Sequence, residues 1–186
     1  MRPLTASSRP HIQAQGRRFE HHNHPLNQLF GAQNELPTFM ATQHPVASVK
    51  DGDNYVARLQ KFPLKFQQVL EGVRKREQDG IVPPTFVVEK VLAEMRAFVA
   101  QPAQQNILYT SLAEKIGKAP QGAIDAEAGK RLLAQTQSAI DQQVYPVYRD
   151  MIAYYEQLLP KTAGNHGVWA LPDGDAFYAW AVRQQT

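Results

Sequence analysis

Apolar residues recur every three or four positions along this chain, and the pattern draws a series of amphipathic helices. The cleanest stripe is Val88, Val91, Leu92, Met95, Phe98 and Val99. It opens after Pro83-Pro84, with Thr85 as the expected N-cap, and closes before Pro102. Upstream, Phe66, Val69, Leu70 and Val73 stand at i, i+3, i+4 and i+7, and Asp79-Gly80 ends their helix. Pro63 separates that helix from a shorter one burying Tyr55, Val56 and Leu59, which starts on a Ser48-Val49-Lys50-Asp51 capping box. Pro25 to Phe39 reads as a short helix with a turn: Leu26, Leu29 and Phe30 share a face and Gly31 stops it. Residues 106–116 form another amphipathic piece, followed by a loop punctuated by Gly117, Pro120 and Gly122.

The longest pattern runs from about residue 126 to 159, through Leu133, Ile140, Val144, Val147, Tyr148, Met151, Tyr155 and Leu158. Pro146 is expected to kink it, because a proline ring clashes inside a straight helix. Tyr145, Tyr148, Tyr154 and Tyr155 crowd its second half and suit either a core or the edge of a cleft. The strand candidates, Ile81-Val82 and Val168 to Leu171, are short and lack partners. The fold class is therefore all-α: an irregular multi-helix array with one long, Pro-kinked helix near 126–159.

Residues 164–186 concentrate three of the eleven glycines, both tryptophans and the turn signal Pro172-Asp173-Gly174. Proline pre-sets φ, aspartate caps, and glycine takes unusual backbone angles, so a helix should follow. Few residues remain for it, and an isolated helix of that length is marginal. The chain is accordingly expected to be an incomplete domain. Gly174 is expected to hold a backbone conformation that a β-carbon would strain, with Tyr178 one turn later on the same side. These two are the candidate substrate-binding residues.

Composition narrows the partners. The 186 residues carry a net charge of +3 and are 43% hydrophobic, with a mean hydropathy of -0.44. No apolar run reaches the ~18 residues of a membrane span. Met1 to Ser8 lacks the apolar stretch of a secretory signal. The densest basic run, Arg74-Lys75-Arg76, is flanked by Glu71, Glu77 and Asp79 and reads as a solvated helix face, not a nucleic-acid reader. Residues 1–16 lack periodicity, so the first nineteen are expected to be loosely ordered ahead of a helical unit over 20–186.

The chemistry-bearing spacings are missing: no His-Glu-x-x-His, P-loop, dinucleotide turn or nucleophile elbow occurs. There is no cysteine to offer thiolate ligands. His21, His22 and His24 lie at the mouth of a loop, off the i,i+4 spacing of a helical metal pair, and read as adventitious surface histidines. Asp173 and Asp175 read as helix-start acids. No catalytic or metal-binding residue is assigned.

Two separated blocks carry a family resemblance. One joins Pro25-Leu26-Asn27-Gln28, Asp53 to Leu59, Gly80 to Pro84 and Val87 to Val91. The other joins Tyr145 to Tyr148, Leu158-Leu159-Pro160, Gly167 to Gly174, Phe177-Tyr178 and Val182 to Thr186. In this order they resemble the bacterial domain-of-unknown-function family eight-eight-five. The resemblance implies a longer, largely helical protein, some members being exported or lipid-anchored. It also implies a His-Glu-x-x-Pro-Gly-His motif of zinc-metallopeptidase type, downstream of the Leu-Pro-Asp-Gly block. Two histidines would hold Zn²⁺ and the glutamate would activate its water. None of those residues has a counterpart here, so zinc is implied for the full-length family and no cofactor for this chain. On that resemblance the chain supplies the N-terminal scaffold and cleft wall of a zinc-peptidase-like domain. Its partners would be the remaining catalytic half and a peptide substrate. The alternative is a stand-alone helical interaction or ligand-binding module. An incomplete domain should expose apolar helix faces and self-associate through them.

Overall fold

A computed structural model describes residues 19–164 and 166–185. The loosely ordered segment expected over 1–19 lies outside these residues except at Phe19, which is buried. The described residues form α-helices α1 (Ala32–Thr42), α2 (Val49–Leu59), α3 (Phe62–Gln78), α4 (Thr85–Ala100), α5 (Ile107–Gly117), α6 (Ala126–Ala139), α7 (Tyr145–Leu158) and α8 (Gly174–Gln185). The class is all-α. No strand occurs among the described residues, and a single bridge pairs Leu26 with Gly31.

Local chemistry places most boundaries where the pattern puts them. Asp51 N–H donates to Ser48 Oγ (3.3 Å), and the Asp51 carboxylate accepts from Ala47 N–H (3.1 Å) and Ser48 Oγ–H (2.8 Å). That is a capping box with aspartate in the reciprocal position. Pro63 sits in the first turn of α3, where its missing N–H has no helical partner to lose. Gly80 ends the α3 exit at φ 75°. Asn106 caps α5 through Leu108 N–H (3.0 Å).

Three expectations are corrected. Gly31 precedes α1 instead of stopping a helix, and Leu29 and Phe30 are 70% and 66% exposed while only Leu26 is buried. Its φ of 141° and the backbone oxygen of Pro25, 2.9 Å from where a Cβ would sit, reserve the position for glycine. Thr85 is the first residue of α4, not its cap. Its Oγ1 donates to the Thr162 carbonyl (3.1 Å) and accepts from Thr162 Oγ1 (2.9 Å), tying α4 to the turn after α7. In α6, Leu132 is the fully buried leucine and Leu133 only packs against the core.

The interruption expected at Pro146 takes the form of a π turn over Ile140–Val144, in which Tyr145 N–H reaches back to the Ile140 carbonyl. Widening one turn gives the proline ring room and moves the unpaired carbonyl into a looser segment. The run from α6 through α7 therefore stays helical across Pro146. Its second half packs most extensively on α4, with α3 beside it.

The core is organised by tyrosines. Tyr148, 1% exposed, stacks on Phe98 (4.4 Å, 22°), meets Phe66 edge-on (5.0 Å) and donates to the Gln33 carbonyl (2.6 Å). Tyr55 donates to the Leu108 carbonyl (2.7 Å), and burial pushes its phenol up to about 12. Each ring contributes apolar area while its hydroxyl is satisfied by backbone, so neither leaves a costly unpaired group. Tyr145 and Tyr155 are buried as well; Tyr154 is half-buried and donates to Glu77, which Lys161 also holds.

One buried histidine carries a pH prediction. His44 Nε2 donates to the Asp51 carbonyl (3.1 Å), and its Nδ1 accepts from Arg58 (2.9 Å), which fixes a neutral tautomer. Lys115 caps α1 by donating to the carbonyls of Met40 (2.7 Å) and His44 (2.6 Å). Burial lowers the His44 pKa below 6.5, and the charges of Arg58 and Lys115 lower it further against the opposing pull of Asp51. The unfolded chain thus binds this proton more readily than the folded one. The stability it contributes is complete above about pH 6.5 and is lost as pH falls through the lower folded value. In urea titrations at pH 7.5 and 5.5, the wild type should lose more stability on acidification than His44→Gln. Equal losses would remove His44 from the account.

Candidate functional site

The segment after α7 is built from close backbone approaches. A 3-10 turn over Val168–Ala170 is held by Ala170 N–H on the Gly167 carbonyl (3.0 Å) and Leu171 N–H on the Val168 carbonyl (3.1 Å). Leu171 is buried, Asp173 takes φ 53°, and α8 begins at Gly174, whose N–H bonds the Leu171 carbonyl (3.0 Å). The left-handed residue of the turn is therefore Asp173, a residue type that tolerates that region better than most. Gly174 is required for a different reason. A Cβ there would lie 2.0 Å from the Val168 oxygen and 2.9 Å from Trp169 Cα, both backbone atoms. Gly167 is similarly close to the Trp169 indole, its Cβ position falling 2.2 Å from a ring carbon.

These contacts present two aromatic side chains outward. Trp169 is 73% and Tyr178 63% exposed, and together with Gly167, Val168, Gly174 and Asp175 they line a groove of about 630 Å³. Gly174 and Tyr178 thus share one groove. A second groove of about 450 Å³ also uses Gly167 and Val168, and reaches His22, Leu29, Phe30 and Phe177.

The histidine cluster is not adventitious. His22 Nε2 donates to the Pro172 carbonyl (2.8 Å), 150 residues away, since a carbonyl can only accept. Its ring packs on Phe177 (5.0 Å) and edge-on to Phe19 (5.0 Å), while Trp180 stacks on Phe177 (5.9 Å). His22 therefore docks the N-terminal segment on the terminal turn. His24 lies in the same groove, its pKa lowered by burial and then by Arg76. His21 faces Glu20 at 3.5 Å. The period-3.6 pattern could not find this arrangement, because Phe19 and His22 precede any helix and meet α8 only in three dimensions.

The profile of the family described as "Bacterial protein of unknown function (DUF885)" matches residues 5–186. The chain belongs to this family. A crystal structure of a putative lipoprotein from Colwellia psychrerythraea superposes with a TM-score of 0.81 at 25% identity. The match covers 86% of this chain and 27% of that one, so the chain spans about a quarter of that relative's length. No curated protein matches.

The zinc that the resemblance implies finds no matching donor set among the described residues. No three His, Asp or Glu side chains converge among the described residues. His22 commits Nε2 to the Pro172 carbonyl, and His44 commits both ring nitrogens, to the Asp51 carbonyl and to Arg58. A tetrahedral site needs three free protein ligands, and this set does not fit it. No described helix is long and apolar enough to cross a membrane.

Proposed function

We propose that this chain is the N-terminal scaffold and cleft wall of a larger zinc-peptidase-like domain, without the metal site and inactive alone. The observation that carries the reading is the state of α8. Of its described residues it buries only Gly174, while its Tyr178 and the preceding Trp169 stand exposed over the 630 Å³ groove. A helix of 12 residues gains little from itself and is normally held by an apolar face against a neighbour. Phe177 packs on Phe19 and His22 and Trp180 on Phe19, while the side of α8 that carries Tyr178 is available to the remaining half and to a substrate peptide, with Gly174 keeping the backbone close and Tyr178 offering a ring and a hydroxyl. The fraction of the solved relative covered by this chain supports the same reading.

A second reading, a stand-alone helical interaction or ligand-binding module, is favoured by the core. Its buried cluster runs from Leu26 to Leu158 and includes no residue of α8. The coding sequence beyond Thr186 separates the two. A continuation bearing His-Glu-x-x-Pro-Gly-His supports the cleft wall; a stop codon at 187 sinks it and leaves the module.

A further inference from the structure

On a different face, α1 and the junction of α2 with α3 enclose a notch of about 250 Å³. Leu36, Phe39, Met40 and Phe62 form its walls, and Arg58, Lys61 and Lys65 stand on its rim with no acidic residue among the lining. Phe39 is 43% exposed beneath the Arg58 guanidinium (5.4 Å), and Leu64, between the two lysines, is 55% exposed. Lys61 caps α3 and Lys65 follows one turn later, so both cations oppose the helix dipole, and the first turn holds no acid. Neither lysine has an ion-pair partner among the described residues. No acidic side chain among the described residues pairs with these two lysines, and their position disfavours the helix that carries them.

We propose that the notch is a docking site for an acidic peptide segment, which inserts one large apolar side chain between α1 and α3 while its carboxylates meet Lys61, Lys65 and Arg58. Size and charge select this occupant. The volume falls below the roughly 300–1,000 Å³ of small-molecule pockets, and suits a single anchoring side chain. A basic rim whose two lysines have no ion-pair partner among the described residues is complementary to carboxylates, which fix the register of the incoming chain. The protein's own residues 1–18 fit poorly, having four arginines and no Asp or Glu. The notch shares no lining residue with the terminal groove, so the proposal stands apart from the cleft-wall reading.

The test is fluorescence anisotropy of a fluorescein-labelled peptide, one phenylalanine flanked on each side by three Glu or Asp residues, titrated with the 186-residue chain. Saturable binding is expected, weakening steeply with added salt. Lys61→Glu/Lys65→Glu should weaken it by about tenfold or more, and a peptide with glycine for phenylalanine should lose a similar factor. Lys61→Gln/Lys65→Gln gives a milder second variant, both positions being exposed. Arg58 is left intact because it holds His44. Undiminished binding by both variants, equal binding of a lysine-flanked peptide, or no peptide binding at all would overturn the proposal. So would binding confined to vesicles of anionic phospholipid.

Discussion

Gly174→Ala should undock the terminal helix. The new methyl would lie 2.0 Å from the Val168 oxygen and 2.9 Å from Trp169 Cα, and neither backbone atom can move without dismantling the 3-10 turn. Overpacking of this kind costs about 1–3 kcal/mol. Both tryptophans lie in this segment, Trp169 before the glycine and Trp180 in α8, so indole fluorescence reports the loss directly. We expect an emission change and a lowered midpoint by fluorescence, with a smaller fall by far-ultraviolet circular dichroism. Gly117→Ala is the matched control: it ends α5 with no heavy atom within 4 Å of its Cβ position. It should be neutral or stabilising by up to about 1 kcal/mol. Equal, small effects at the two sites would show that Gly174 is not held by close approach.

Tyr148→Ala has the largest expected effect on the fold as a whole. The ring is fully buried, stacked on Phe98 and edge-on to Phe66, and its hydroxyl satisfies the Gln33 carbonyl just inside α1. Truncating a buried aromatic costs about 3–5 kcal/mol through lost transfer energy and the cavity left behind. Tyr148→Phe keeps the ring and removes only the donor, stranding a buried carbonyl for about 1–3 kcal/mol. The two variants, compared by urea unfolding, should rank in that order. A Tyr148→Ala loss no greater than that of Tyr148→Phe would contradict the stacked core.

These residues also show what the sequence reveals and what it hides. The stripe from Val88 to Met95 and the Ser48–Asp51 box are local: each depends on spacing within one or two turns, and each appears in the fold. Pro146 signals that a long helix must yield, but spacing alone does not choose between a kink and the π turn found over Ile140–Val144. Gly31 signals special backbone, but a glycine with positive φ can sit at either end of a helix. Thr85 looks like a cap until Thr162 arrives from 77 residues away to claim its hydroxyl. The candidate site divides along the same line. Gly174 is legible as turn chemistry and Tyr178 as its neighbour one turn on. His22 is not, because its partners Pro172 and Phe177 lie in another part of the chain.

We propose that this chain walls a cleft whose metal site lies outside it. Zinc stoichiometry tests that most directly, by dialysis of the purified 186-residue protein against Zn²⁺ followed by elemental analysis. No stoichiometric zinc is expected. One tightly held Zn²⁺ per chain would contradict it.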